Sequence, residues 1–272
     1  MKLDTCKILL TGANGGIGSA LARALAGRGA RLALVDINRD GLEALVGELR
    51  GNGTVAAPLV FDLSTDHGYA ELVERAASAL DGMDMLINNA GVMSFGAFAA
   101  EKPEAISTLV KINIQAPLLL TRALLPRLIA QRRGRIVNIG SIFGSIGFAW
   151  FSSYSASKFA SRGFSEALRR ELDGTGVGVT YVAPRATRTP INNSAIMKMA
   201  DAVGMHFDAP ERVAQKIIRS LERDAGDCYL GFPESLFVRI NSLLPRLVDS
   251  ALRKQNRTAR RFAPGAREPA AY

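Results

Sequence analysis

The sequence predicts an α/β chain built on a doubly wound, parallel sheet, a single domain with a short helical extension at its carboxyl end. Three observations carry the prediction. Short apolar runs without polar alternation take turns with longer segments of helical period, the pattern of strands buried on both faces and joined by crossover helices. The first run passes through a glycine-rich turn straight into a helical segment. Of the 272 residues, 48% are hydrophobic and 22% charged, with only 11 prolines, so the chain can bury a large core and reads as neither disordered nor fibrous.

The strands are expected at 7–11, 31–36, 55–61, 84–88, 134–140, 178–184 and 227–232, each a compact apolar block. Helices are expected at 18–27, 39–50, 66–80, 102–132, 153–172 and 210–223, where Ala and Leu recur at three- and four-residue steps with charges between them. Alternation of this kind implies right-handed crossovers and helices on both faces of the sheet. No internal repeat or low-complexity linker divides the first 232 residues. Residues 233–272 form the extension. Pro233 and the run SLFVRINSLL predict a short amphipathic helix, and the tail beyond Arg253 is expected to be poorly ordered at its end.

The net charge of +9 is unevenly placed. Between Pro245 and Arg267 seven basic residues face one acid, a net of +6, so most of the excess sits in the tail. No recognised nucleic-acid module accompanies it, and nucleic acid is not an expected partner. The tail has three readings: a solvated, frayed end, which ranks first, a contact with another subunit, or, with Leu236, Phe237, Ile240, Leu243, Leu244 and Leu247 beside it, a peripheral contact with an anionic membrane. Residues 229–252 are too interrupted, by Glu234, Arg239, Pro245, Arg246 and Asp249, to cross a bilayer. The start lacks a basic segment followed by an apolar run and a cleavage site, so no secretory leader is expected. Two cysteines, Cys6 and Cys228, make no disulfide framework and read as buried filler in a reducing, cytoplasmic compartment. His67 and His206 have no ligand-like partners, and no metal site is expected.

The turn after the first strand reads Thr11-Gly12-Ala13-Asn14-Gly15-Gly16-Ile17-Gly18. Glycines there let the backbone approach a pyrophosphate, and the helix that follows aims unpaired N–H groups and a partial positive charge at it. Glycines in a loop are weak evidence alone, and a turn that binds nothing is the competing reading. Context favours binding: strand, turn and helix fall in order, and the second strand ends in Asp36, 20 residues beyond Gly16, where a carboxylate meets an adenosine ribose. A carboxylate accepts from a 2′-hydroxyl and repels a 2′-phosphate, which favours NAD over NADP. Arg39 qualifies this, although a solvated helix-start residue is its simpler role. Asp62 is either a helix-capping acid or an adenine contact.

Tyr154 and Lys158 lie four apart in a helical segment and so share a face. A tyrosine exchanges a proton near neutrality only with help, its ordinary pKa being about 10, and a neighbouring cation favours the phenolate. A bare YxxxK is more often an exposed surface pair. Ser141 shifts the balance, because it lies just past the carboxyl end of a buried strand, where open α/β sheets gather ligand-binding groups.

Taken together, TGANGGIG (11–18), Asp62, NNAG (88–91), Asn113 in KINIQ, Ser141 thirteen residues before Tyr154, and YSASK (154–158) resemble the short-chain dehydrogenase/reductase family in its single-domain branch, over about residues 5 to 232. The resemblance implies a Rossmann-like fold and an NAD(P)-dependent oxidoreductase acting on a secondary alcohol or ketone. Tyr154 would be the general acid/base, Ser141 would orient the substrate oxygen, and Lys158 would lower the tyrosine pKa and hold the nicotinamide ribose. Asn113 would interrupt its helix and bind a water linked to Lys158. Gly12, Gly16, Ile17 and Gly18 would meet the pyrophosphate, Asp36 the ribose, Asp62 and Leu63 the adenine, and Asn89, Ala90 and Gly91 the cofactor wall. Thr11, Asn14, Pro184, Thr187 and Thr189 complete that set, Thr189 at the nicotinamide carboxamide. The cofactor is expected to be NAD, with NADP and a 3-oxoacyl-type carbonyl reductase as the alternative; a non-catalytic nucleotide-sensing scaffold is a third reading, against which intact Ser141, Tyr154 and Lys158 speak. Family members commonly form dimers or tetramers through the helices carrying Asn113 and Tyr154, to which Phe159, Phe164 and Leu168 would contribute.

One departure stands out. Where the family has Pro-Gly after the sixth strand, this chain has Pro184-Arg185. Arginine enters a positive-φ turn less readily than glycine, which leaves the loop geometry open. Arg185 is read as a loop residue turned to solvent, with binding of an acidic substrate group as the other role. Phe143, Ile146, Phe148, Trp150 and Phe151, with Met93, Phe95 and a lid over 191–207, suggest an apolar cleft for a lipophilic substrate; core or subunit packing is the competing account.

Overall fold

The computed structural model describes residues 2–266. Seven parallel strands form one sheet: β1 (Lys7–Thr11), β2 (Arg31–Asp36), β3 (Ala56–Val60), β4 (Met85–Asn88), β5 (Gly134–Ile139), β6 (Val177–Pro184) and β7 (Asp227–Leu230), in the order β3-β2-β1-β4-β5-β6-β7. The order reverses between β1 and β4, the switch point at which such sheets open a crevice beyond the strand carboxyl ends.

Alternation within single strands builds two cores. In β1, Ile8 and Leu10 face one layer and Leu9 the other; in β2, Leu32 and Leu34 oppose Ala33 and Val35. The first layer is closed by α1 (Gly16–Ala26), α2 (Arg39–Gly51) and α8 (Pro210–Glu222). The second is closed by α3 (Tyr69–Leu80), α5 (Ala116–Ala130) and α6 (Ser152–Glu171). Each fully buried Leu contributes roughly 2 kcal/mol of transfer free energy, so the apolar runs suffice to hold the site's scaffold.

Three departures from the expected elements bear on function. The helix expected over 102–132 is divided into α4 (Pro103–Val110), a five-residue π-helical stretch Lys111–Gln115, and α5. Pro117 has no N–H to give to the Asn113 carbonyl four residues back, so the regular ladder breaks at that turn. The lid segment contains a helix, α7 (Ser194–Ala202), whose start is capped by Asn193 accepting from the Ile196 amide at 2.9 Å. Among the described residues the extension holds two helices, α9 (Glu234–Leu243) and α10 (Pro245–Arg260), not one.

The poor order expected of the tail beyond Arg253 is corrected only as far as Ala266, the last described residue. The chain stays helical to Arg260, Ala259 and Ala263 are buried, and Phe262, like Met93, Phe95 and Trp150, packs against the cluster that holds Phe151, Ile196, Met199 and Ala259. The Trp150 indole N–H donates to the Asn256 carbonyl at 3.0 Å, and the Ala97 amide to that of Pro264 at 2.9 Å. Arg267 lies outside the described residues. No helix among those described is long and apolar enough to cross a membrane.

Candidate active site

The glycine turn has the shape the sequence requires. Gly12 holds φ +64°, and a Cβ there would lie 2.7 Å from the Ala90 Cα; a Cβ on Gly16 would lie 2.6 Å from the Thr189 methyl. A Cβ on Gly18 would strike the Gly12 carbonyl, so this glycine is where helix and turn touch. Gly15 caps α1 without a side-chain bond, leaving the first amides of the helix pointed at the crevice.

Asp36 closes β2 beside that turn, its carboxylate accepting from the Asn14 amide at 2.9 Å and the Asn38 amide at 3.1 Å. Asp62 accepts from the Ser64 amide at 2.8 Å and the Ser64 hydroxyl at 2.7 Å. It therefore caps a loop turn, and Gly68 sits at the start of α3 in its stead. Arg39 is 66% exposed and paired with Glu43 at 3.4 Å, a solvated helix-start residue.

Lys158 is buried in α6 and donates to the Ile139 carbonyl at 3.0 Å, with its Nζ 5.7 Å from the centre of the Tyr154 ring. Tyr154 and Ser141 line the cleft together. Burial dominates both ionisations: it pushes the tyrosine up to about 12, against the opposing pull of the Ser141 side chain, and the lysine down to about 8. Desolvation thus outweighs the effect that proximity of the cation predicts.

Asn113, in the π-helical stretch, gives its amide to the Val92 carbonyl at 2.9 Å and the Ser157 hydroxyl at 3.0 Å, and accepts from the Val92 amide at 2.9 Å. It joins the loop after β4 to α6, one residue from Lys158. Gly91 lies over both, its missing Cβ 3.3 Å from the Asn113 side-chain Oδ1 and 3.6 Å from the lysine Nζ.

These residues share one cleft of about 800 Å³ along the carboxyl edge of the sheet. Asp36, Asp62, Leu63, Gly12, Gly16 and Gly18 line one end, Ser141, Tyr154 and Lys158 the other, with Ile17, Asn89, Ala90, Gly91, Pro184, Thr187 and Thr189 between. Thr11, Asn14 and Asn113 do not line it. They stand behind its wall, where Thr11 receives the Asn89 and Ala90 amides at 3.0 and 3.1 Å. A cavity of about 850 Å³ on the opposite edge, lined by Cys6, Asp84, Arg31 and Arg135 among others, holds none of these groups.

The substrate side is aromatic and thioether-rich. Phe143 stacks on Phe148 at 4.4 Å between ring centres and meets Phe151 and Tyr154 edge-on, while Met93, Met199 and Met205 add flexible apolar surface. His206 and Phe207, at the end of the expected lid, line the cleft, while sequence reasoning missed Pro233, Glu234, Phe237, Leu252 and Gln255, which line it too. Their signal was weak, because α9 and α10 come to the cleft only through tertiary packing. Among the described residues, no three His, Cys, Asp or Glu side chains converge as a metal site would require.

Two expectations are overturned. Arg185 does not turn to solvent: it is 19% exposed and ion-paired with Asp208 at 2.9 Å. Nor does it need a positive φ, since the described non-glycine residues with that conformation are Thr5, Asp81, Arg132, Trp150 and Asp224. Leu168 is buried in the second core layer, with Phe164 packed against it, so of the three proposed subunit-contact residues only Phe159 is exposed.

A glycine-cradled helix start, an acidic second strand end and a Ser-Tyr-Lys group on one cleft define a dinucleotide-binding oxidoreductase fold. Comparison with known proteins agrees: the family model for short chain dehydrogenases matches residues 7–200, and the chain belongs to the short-chain dehydrogenase/reductase family. It is 31% identical over 268 residues to the Bos taurus protein named dehydrogenase/reductase SDR family member 7B, covering 92% of this chain and 82% of that one. It is 34% identical over 216 residues to the ketoacyl reductase HetN of a Nostoc species, covering 79% and 75%. Among solved structures, a Burkholderia phymatum short chain dehydrogenase/reductase in complex with NAD superposes over the full length of both chains with a TM-score of 0.82 at 22% identity, a likeness of fold.

Proposed function

We propose that this protein interconverts a lipophilic secondary alcohol and its ketone with NAD(H). The observation that carries the reading is the continuity of the cleft, from Asp36 and the glycine turn to Ser141, Tyr154 and Lys158 beneath an aromatic wall. A nicotinamide dinucleotide fits the cradle, because Gly12, Gly16 and Gly18 let the turn close tightly on Ala90, Thr189 and the Gly12 carbonyl, and all three line the cleft at the start of α1 with no side chain of their own. When bound, it supplies the carbon that gives or takes the hydride. The chain supplies the rest. Ser141 holds the substrate oxygen, Tyr154 gives or takes its proton, and Lys158 keeps a positive charge beside the phenol from its seat on the Ile139 carbonyl.

Asp36 supports NAD over NADP, since its carboxylate repels a 2′-phosphate and Arg39 is engaged elsewhere. Titrating NADH and NADPH by fluorescence, then screening alcohols and ketones by absorbance, tests both halves of the reading; markedly tighter NADPH binding overturns the first. The similarity to a ketoacyl reductase favours a 3-oxoacyl carbonyl as the second reading, and turnover of a 3-oxoacyl thioester in preference to simple ketones would select it.

Surface features support a reading of assembly and of membrane contact. Exposed Val110 on α4, Leu118 and Ile129 on α5 and Phe159 on α6 support a homo-oligomer, to be measured by light scattering. On α9 and α10, Leu236, Leu243, Leu244 and Leu247 are exposed, Leu243 at 81%, beside exposed Arg239, Arg246, Arg253, Lys254 and Arg257. That combination supports peripheral contact with an anionic bilayer. Co-sedimentation with phosphatidylglycerol vesicles that persists in a Leu243→Ser/Leu244→Ser/Leu247→Ser variant would refute it.

A further inference from the structure

Arg185 departs from the family pattern, and its surroundings explain what it does. Its Nε and Nη2 donate to the two carboxylate oxygens of Asp208 at 3.0 and 2.9 Å, a bidentate pair with Asp208 only 3% exposed. Its Nη1 reaches the Phe232 carbonyl at 3.3 Å and the Glu234 carboxylate at 3.4 Å. Room for this side chain is left by Gly231, where a Cβ would lie 2.6 Å from the Arg185 Cδ.

The partners are the ends of the structures that cover the substrate region. The Asp208 amide donates to the Ala186 carbonyl at 2.9 Å, and its carbonyl accepts from the Arg188 amide at 3.0 Å. Residues 186–208 therefore form a closed loop whose two ends meet beside Arg185. That loop carries Thr187, Thr189 and the cleft-lining residues of α7, Ile196 and Met199. Glu234 opens α9, which brings Phe237 to the cleft, and α10 follows with Leu252 and Gln255. One guanidinium thus joins the end of β6, the base of the lid and the start of the carboxyl-terminal helices. Because its three nitrogens already meet two carboxylates and a carbonyl, it is not free to bind an acidic substrate.

We propose that Arg185 is a positioning residue, a latch that holds the lid (186–208) and the α9–α10 roof in register over the substrate half of the cleft. This rests on the proposed function of that cleft. A substrate long enough to touch the roof depends on the latch, whereas the adenosine end of the cofactor cradle and the Ser-Tyr-Lys group, which include no lid residue, do not.

The test uses Arg185→Gln, which keeps length and loses charge, and Asp208→Asn, which keeps shape and breaks the same pair. For a long-chain or aromatic ketone, KM is expected to rise about tenfold or more with kcat within about twofold, the signature of lost uniform binding. The dissociation constant for ADP-ribose, which lacks the nicotinamide that Thr189 of the lid would meet, should stay within about twofold, and the double variant should add little to either single one. Hydrogen exchange should quicken in residues 191–207 and 234–256 and stay unchanged in α6. Unchanged KM with unchanged exchange overturns the latch, and so does a loss of ADP-ribose affinity or faster exchange in α6 equal to that in the lid, which would mark a general structural role. Exchange needs no turnover: a wild-type protein that oxidises no alcohol and reduces no ketone refutes the proposed function, while localised exchange still decides the latch.

Discussion

The Tyr181 hydroxyl holds Ser141 by its backbone, donating to the Ser141 carbonyl at 3.1 Å and lying 3.5 Å from its amide nitrogen. Tyr181 is fully buried in β6, and Gly140 and Gly144 are glycines where its ring and hydroxyl lie, since a Cβ on either would run into them. Tyr181→Phe removes the hydroxyl and leaves the ring. With the backbone of Ser141 unanchored, kcat should fall about tenfold, or about 1.4 kcal/mol, the scale of one buried hydrogen bond. Steady-state kinetics with an NADH titration checks this; unaltered kcat would show that Ser141 is held without Tyr181.

Tyr154→Phe removes the cleft-lining phenol beside Ser141 and Lys158, and keeps the ring that meets Phe143 edge-on at 6.0 Å. Turnover should drop by at least about a hundredfold, the scale of general acid–base catalysis, while NADH binding persists. Undiminished turnover would remove Tyr154 from the mechanism.

Much of this site was legible in the sequence because its parts are local. A glycine-rich turn, a carboxylate at a strand end and a Tyr/Lys pair one helical turn apart each carry their own spacing. Buried parallel strands also announce themselves as apolar blocks, which is why expected and observed bounds differ by a residue or two. What stayed hidden depends on partners distant in the chain. Arg185 meets Asp208 23 residues away and Glu234 49 residues away, and no periodicity predicts a pairing of that kind. The break at Lys111–Gln115 was expected only through the family resemblance, at Asn113, because the helical pattern itself runs on through the stretch, with Pro117 its local mark. The docking of α10 rests on single buried contacts from Val248, Ala259 and the Trp150 indole, set in a segment whose charges read as solvated.

Lys158 should set the alkaline limb of activity. Burial lowers its pKa to about 8, so its charge is present below that value and lost as pH rises through it. At subsaturating cofactor, kcat/KM should decline above about pH 8, where the free enzyme loses the proton. Lys158→Met should abolish the limb together with most of the activity. A profile flat to pH 10 would mean that the charge on Lys158 is not required.

Asp36 is the residue on which cofactor choice should turn. Asp36→Ala removes the negative charge beside the crevice and the acceptor for the Asn14 and Asn38 amides. Paired titrations should show NADH binding weakened and NADPH binding strengthened, so that their ratio moves toward NADPH by about tenfold or more. A ratio that does not move would place the discrimination elsewhere in the cleft.

Asp208 should make stability depend on acid. The Arg185 pair lowers its carboxyl pKa below the ordinary value, so the pair's stabilisation is present above the unfolded pKa, about 3.9, and is lost as pH falls through the folded one. Asp208→Asn leaves the Arg185 guanidinium without its main partner, at a cost of about 2–3 kcal/mol, somewhat less than for a fully buried pair because Arg185 retains some exposure. Near pH 7 that corresponds to a Tm lower by about 4–12 °C for a domain of this size. The gap between wild type and variant should narrow as pH drops below about 4, because protonating Asp208 removes in the wild type what the substitution removed at every pH. Calorimetric scans across pH 3–7 give the measurement, and a gap that is constant over that range would show that the pair contributes nothing through its charge.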